Sequence, residues 1–182
     1  MCIRDSDYVV PKFVIFDRDG TLIKHVRYLN KIDQVIFADG IFESLKNLTL
    51  NNYRLAIITN QSLINRNLGT YEQVNLVNNF IKEQLRFNSI EIEFILVCPH
   101  TPEEKCSCRK PKQEFMAYAI NQYGLTPNDS FMVGDSESDM EFGKKGGCRT
   151  IQISEGKERS IYADYECKNL IKACEIILSK SN

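Results

Sequence analysis

The chain has 182 residues, 43% hydrophobic and 26% charged, with 23 Lys+Arg against 24 Asp+Glu and a net charge of −1. That size suits one domain with a single core, and the even charge balance gives no reason to expect nucleic acid or an anionic membrane as partner. No apolar stretch approaches the roughly 20 residues that span a bilayer, and the amino terminus MCIRDSDYVV lacks a signal peptide's apolar middle, so a cytoplasmic protein is expected.

Residues 1–6 fit no element and resemble read-through from a cloning adapter, which leaves one domain over residues 7–182. Residues 13–16 (FVIF) read as a buried strand, and Ile41, Leu45 and Leu48 follow at helical spacing. Residues 55–59 form the next strand. Residues 71–85 form a long amphipathic helix with Val74, Val77, Ile81 and Leu85 on one face. A strand over 92–97, a helix over 115–123, short strands over 131–133 and 150–153 and a helix over 170–178 complete the order. Short apolar strands separated by helices predict an α/β fold: a doubly wound, mainly parallel, Rossmann-like sheet with helices on both faces. In such sheets ligands bind beyond the carboxyl ends of the strands. Asp17 and Asp19, Thr59 and Asn60, and Gly134 and Asp135 all stand at such ends.

The first cluster is Asp17-Arg18-Asp19-Gly20-Thr21. Two carboxylates two residues apart can serve one site in two roles. One attacks phosphorus and the other protonates the leaving oxygen, then deprotonates water. In the second cluster, Thr59-Asn60-Gln61-Ser62, hydroxyl, amide and backbone donors suit phosphate oxygens, although Asn60 and Ser62 are equally good helix caps. In the third, Gly134-Asp135 is followed by Asp139. Carboxylates gathered there suit an oxygen-liganded Mg²⁺, while Asp139 also suits the first turn of a helix. Lys110 in CRKPK is the best lysine to offset the charge. GKKGG, residues 143–147, reads as a helix end rather than a phosphate loop.

Seven cysteines make an odd count, and a reducing compartment favours a metal site plus free thiols over disulfides. Cys98, His100, Cys106 and Cys108 supply four ligands of zinc type within eleven positions. They predict one closed, structural Zn²⁺ site that stiffens its loop and fixes the adjoining Arg109 and Lys110. Cys2, Cys148, Cys167 and Cys174 read as small apolar residues or exposed thiols.

Together these motifs resemble the haloacid dehalogenase superfamily of phosphatases, over roughly residues 13–153. The resemblance implies Asp17 as nucleophile and Asp19 as general acid and base, with Thr59 and Lys110 holding the phosphoryl group. It also implies Mg²⁺ on Asp17, Asp135 and the Asp19 carbonyl, with Asp139 supporting the metal. CPHTPEEKCSCRKP is similar to the zinc loop of the D,D-heptose 1,7-bisphosphate phosphatases and the related histidinol-phosphate phosphatases, which lack a large cap domain. HVRYL, residues 25–29, looks more like the heptose enzymes. Leu63, Asn67 and Gln113-Glu114 depart from their usual pattern. The implied substrate is a small phosphorylated sugar, bound by a monomer through His25, Arg27, Tyr28, Asn60, Gln61, Ser62 and Arg109. Lys24 is expected at the same cationic rim, and Arg66 either there or in solvent. Histidinol phosphate is the competing substrate, and a zinc-stabilised binding module without catalysis is the competing class.

Overall fold

In β1 (Lys12–Phe16) every residue after the first is buried. Val14 and Phe16 enter one hydrophobic core, and Phe13 and Ile15 the other. That two-sided burial is why the strand reads as an unbroken apolar run. The computed structural model describes residues 10–156 and 158–180. The expectations for residues 1–6 and for Cys2 lie outside these.

β1 pairs in parallel with β2 (Tyr53–Asn60) on one side and β4 (Phe131–Gly134) on the other. β2 carries β3 (Ile92–Cys98), and β4 carries β5 (Arg149–Ile153), which carries β6 (Tyr165–Cys167). The sheet is thus parallel throughout, in the order β3-β2-β1-β4-β5-β6. The strand order reverses between β1 and β4, so the crevice of an open α/β sheet falls between their carboxyl ends.

Helix α1 (Ile41–Leu50), the long α2 (Tyr71–Phe87) and the closing α5 (Leu170–Ser179) cover one face. There Leu45, Leu48, Val77, Ile81 and Ile177 pack against Val14, Phe16 and Val133. α3 (Glu114–Tyr123) and α4 (Glu137–Lys145) cover the other, with Met116, Ala119 and Phe142 against Ile15 and Met132. A capping box starts α2: the Gln73 N–H donates to Thr70 Oγ1 at 3.3 Å and the Thr70 N–H to Gln73 Oε1 at 2.9 Å. α4 ends at Lys145, so GKKGG is a helix end as expected. The short edge strand β6 was absent from the sequence expectation. Its three residues are at most half-buried and make their ladder with β5 alone. No helix among the described residues is long and apolar enough to cross a membrane.

Candidate active site

The Asp17 N–H donates to the Val133 carbonyl at 2.9 Å, joining the ends of β1 and β4. The three expected clusters meet there, in a cleft of about 310 Å³ lined by Asp17, Asp19, Thr59, Lys110, Asp135 and Asp139 together with His25, Asn60 and Arg109. Two glycines allow the approach. Gly20 has φ +80°, and a Cβ there would stand 2.6 Å from Asp135 Oδ2. A Cβ on Gly134 would stand 2.5 Å from Asp139. A side chain at either position would displace the facing carboxylate, and the positive φ of Gly20 is strained for any other residue.

Lys110 is the buried centre of the site. Its ammonium donates to Asp17 Oδ1 at 2.8 Å and to the Ile58 carbonyl at 2.6 Å, and pairs with Asp139 Oδ1 at 2.6 Å. An ammonium has three protons, and each has an acceptor. Burial opposes the charge, yet Asp139 and Asp17 outweigh it and hold the Lys110 pKa above its ordinary value. Asp17 moves the other way in its preference for charge. Burial above all raises its carboxyl to about 7, and Asp139 and Asp19 add to the rise that Lys110 resists. The two differ in what surrounds them: the lysine faces two carboxylates that overcome its burial, while Asp17 has one ammonium against burial and two carboxylates.

A hard cation would offset this imbalance. Carboxylate oxygens of Asp17, Asp135 and Asp139 lie within 4.8 Å of one another, an all-oxygen set that fits Mg²⁺. Asp139 is engaged further: its Oδ2 accepts from the Ser136 N–H at 3.1 Å and from Ser136 Oγ at 2.7 Å. It therefore caps α4, the helix-turn role expected for it, while its carboxylate also faces the cluster.

The Thr59-Asn60-Gln61-Ser62 segment turns, and no helix follows it, which removes the cap reading. Buried Thr59 accepts from Gln61 Nε2 at 2.8 Å, keeping its own hydroxyl proton for a ligand. Asn60 spends both halves of its amide on the Lys110 main chain, accepting from its N–H at 3.1 Å and donating to its carbonyl at 3.2 Å. It is a clamp on the lysine loop. Gln61 Nε2 also donates to Asp19 Oδ2 at 2.7 Å.

Next to the cleft lies a second pocket of about 360 Å³, lined by Arg27, Tyr28, Ser62 and Leu63 and sharing Asp19, His25 and Asn60 with the first. The Arg27 guanidinium stands 5.0 Å from the Tyr28 ring centroid. Its hydrogen bond and charge, with Arg66 behind, lower the Tyr28 pKa. Of the other two rim expectations, that for Lys24 fails. Lys24 lines a different small pocket with Gly20, Asp39 and Asn169, because the loop after β1 turns it away. Arg66 donates to Ser62 Oγ at 3.4 Å, lies 3.9 Å from Glu103 and still bears on Tyr28.

Cys98, His100, Cys106 and Cys108 converge as expected, from the end of β3 and the loop that follows. Their contacts run from 3.3 Å (Cys98–Cys108 and Cys108–His100 Nδ1) through 3.6 Å (Cys98–His100) to 3.7 Å (Cys98–Cys106). Those spacings approach the ~3.8 Å edge of a tetrahedron with Zn–S bonds of about 2.3 Å, so the four donors fit zinc. Burial, and then the neighbouring thiols, pushes the Cys98 thiol above its ordinary value. A bound cation reverses that cost. Arg109 is tied into this loop, its N–H to Cys106 Sγ at 3.3 Å and its guanidinium to the His100 carbonyl at 3.0 Å. The other described cysteines, Cys148, Cys167 and Cys174, are free thiols, two of them buried.

A buried aspartate at the switch point, a second aspartate two residues on, a lysine from a distant loop and a carboxylate cluster define a hydrolase of the haloacid dehalogenase type. A family model described as HAD-hydrolase-like matches residues 107–170. The chain is 37% identical over 153 residues to a D-glycero-β-D-manno-heptose-1,7-bisphosphate 7-phosphatase of Pasteurella multocida, covering 80% of this chain and 83% of that one. It is 33% identical over 161 residues to the same-named protein of Helicobacter pylori strain J99, covering 87% and 92%. Its fold matches the crystal structure of D,D-heptose 1,7-bisphosphate phosphatase from B. bronchiseptica complexed with magnesium and phosphate. The TM-score is 0.85 and the identity 23%, over 93% of this chain and 99% of that one. The chain belongs to the heptose-1,7-bisphosphate 7-phosphatase family.

Proposed function

We propose that this protein hydrolyses the 7-phosphate of a D-glycero-D-manno-heptose 1,7-bisphosphate through an aspartyl-phosphate intermediate. The observation that carries the reading is the meeting of Asp17, Asp19, Thr59, Lys110 and Asp135 in one cleft, beside a pocket lined by Arg27.

An oxygen of Asp17 attacks phosphorus, and the bond from phosphorus to the sugar oxygen breaks. Asp19 delivers a proton to that oxygen, which matters because a primary alkoxide is a poor leaving group. As Asp17 becomes phosphorylated its carboxylate loses charge, and the Lys110 proton it held turns to a phosphoryl oxygen beside the Thr59 hydroxyl. Asp19, now ionised, takes a proton from water, which attacks phosphorus and releases phosphate and Asp17. Asp17, Asp135 and the Asp19 carbonyl would hold Mg²⁺, supported by Asp139; bound there, it neutralises charge between carboxylate and phosphate.

Zn²⁺ on Cys98, His100, Cys106 and Cys108 is structural in this reading, since all four positions are filled by protein. Protein purified without chelators from zinc-replete cells should contain about one zinc per chain. Stripping it should lower the melting temperature, because metal binding and loop ordering are coupled. Zinc-free protein of unchanged stability would remove this assignment. Free thiols fit a reducing cytoplasm, and a monomer completes the reading.

The second pocket favours a second phosphate. Arg27 lines it, Arg109 lines the adjoining cleft, and Asp19 at the shared mouth supplies the one carboxylate among its described lining residues. Arginine grips phosphate in bidentate fashion, whereas the ammonium of histidinol phosphate would be repelled. We expect kcat/KM to be higher for heptose 1,7-bisphosphate than for histidinol phosphate. Arg27→Ala or Arg109→Ala should each lower the bisphosphate value by about tenfold, the worth of one charge-assisted hydrogen bond. Steady-state kinetics on the two substrates decides; equal or reversed values sink the substrate choice and leave the phosphatase standing.

A further inference from the structure

Arg18 stands between the two aspartates, yet its side chain is completely buried. Leu22 and Ile23 donate their N–H groups to the Arg18 carbonyl at 3.0 and 3.1 Å, turning the backbone so that Asp17 and Asp19 face the cleft while Arg18 enters the protein. Burying a guanidinium is costly unless its protons are paired. Here Nε donates to Asp19 Oδ2 at 2.9 Å and one terminal nitrogen to Asp19 Oδ1 at 3.2 Å. The other terminal nitrogen donates to Asn78 Oδ1 at 2.8 Å. Asn78 is itself buried, on the apolar face of α2 between Val77 and Ile81.

The fork touches both Asp19 oxygens, which sets the plane of the carboxylate, and Gln61 holds Oδ2 from the other side at 2.7 Å. Asn78 in turn fixes the fork to a helix anchored in the core. We propose that Arg18, braced by Asn78, is a positioning residue that sets the plane and reach of Asp19 for proton transfer. The inference rests on the acid/base reading of Asp19. It differs from a role in folding, because a buried pair that serves packing alone is replaceable by a hydrophobe of similar volume.

The experiment combines Arg18→Met, Asp19→Asn and the double variant, each assayed on an alkyl phosphate and on p-nitrophenyl phosphate. Arg18→Met should lower kcat on the alkyl ester by roughly 10–100-fold, the scale of a displaced catalytic group. The loss should be smaller with p-nitrophenol, a leaving group that needs little protonation. Inhibition by inorganic phosphate should be unchanged. In the Asp19→Asn background the same substitution should cost less than about twofold, because non-additivity marks groups that act through one another. Asn78→Leu should give a weaker version of the same pattern, and carries the test if Arg18→Met does not fold. Equal losses on both esters, or the same loss with and without Asp19, would overturn the positioning role while the mechanism stands. If Asp19→Asn itself leaves alkyl-ester turnover intact, the acid/base reading fails first.

Discussion

Asp17→Asn should reduce phosphate release by on the order of 10⁵-fold, the scale seen when a covalent nucleophile is removed. The amide keeps the shape of the carboxylate and an oxygen to accept from Lys110, but it lacks the charge and nucleophilicity to attack phosphorus. The substitution should not cost stability. Asp17 is buried, and that burial already raises its carboxyl to about 7, so a neutral group of the same size is easier to accommodate. A large activity loss without a fall in melting temperature separates chemistry from folding. Acid-quenched native enzyme should carry a phosphate on the peptide containing Asp17, and the variant should not. Near-native turnover by Asp17→Asn would end the nucleophile assignment.

Lys110→Met should damage both stability and activity. It removes the cation between Asp17 and Asp139, which are joined to it at 2.8 and 2.6 Å, and leaves the buried Asp139 carboxylate without that partner. Breaking a buried pair by deleting one side costs about 3–5 kcal/mol. For a domain of this size that is a fall in melting temperature on the order of 10 °C. Adding Asp139→Asn should restore part of the stability, since it neutralises the stranded charge. It should not restore activity, which needs a proton donor at the phosphoryl oxygen and a cation beside Asp17. Thermal melts of the single and double variants, read with phosphate release, test both halves. A Lys110→Met protein as stable and active as the native one would contradict the central place given to this lysine.

The apolar runs of β1 and β4 end abruptly in polar residues, because strands buried on both faces must change character where they leave the sheet. That local contrast marks Asp17, Asp19, Gly134 and Asp135 as strand-end residues without reference to any contact. The cysteines and histidine of residues 98–108 were equally legible, since their ligand spacing lies within one short loop. Other features depend on partners distant in sequence. Arg18 sits 60 positions from Asn78, and nothing in DRDGT separates a buried guanidinium from a solvated one. The signal that existed was Asn78, a polar residue within the apolar face of α2. Asn60 reads as a phosphate donor or a helix cap, and nothing local shows that the Lys110 main chain, 50 positions on, meets both ends of its amide. Lys24 counts towards the cationic rim until the turn after β1 points it into another pocket. Sequence by itself determined the α/β order, the strand-end clusters and the zinc-type loop, because each is encoded by residues within a turn or two of one another. Tertiary structure alone decided which polar groups are buried and which partner satisfies each, because hydrogen-bond pairing across the sheet is set by parallel strand order and helix packing.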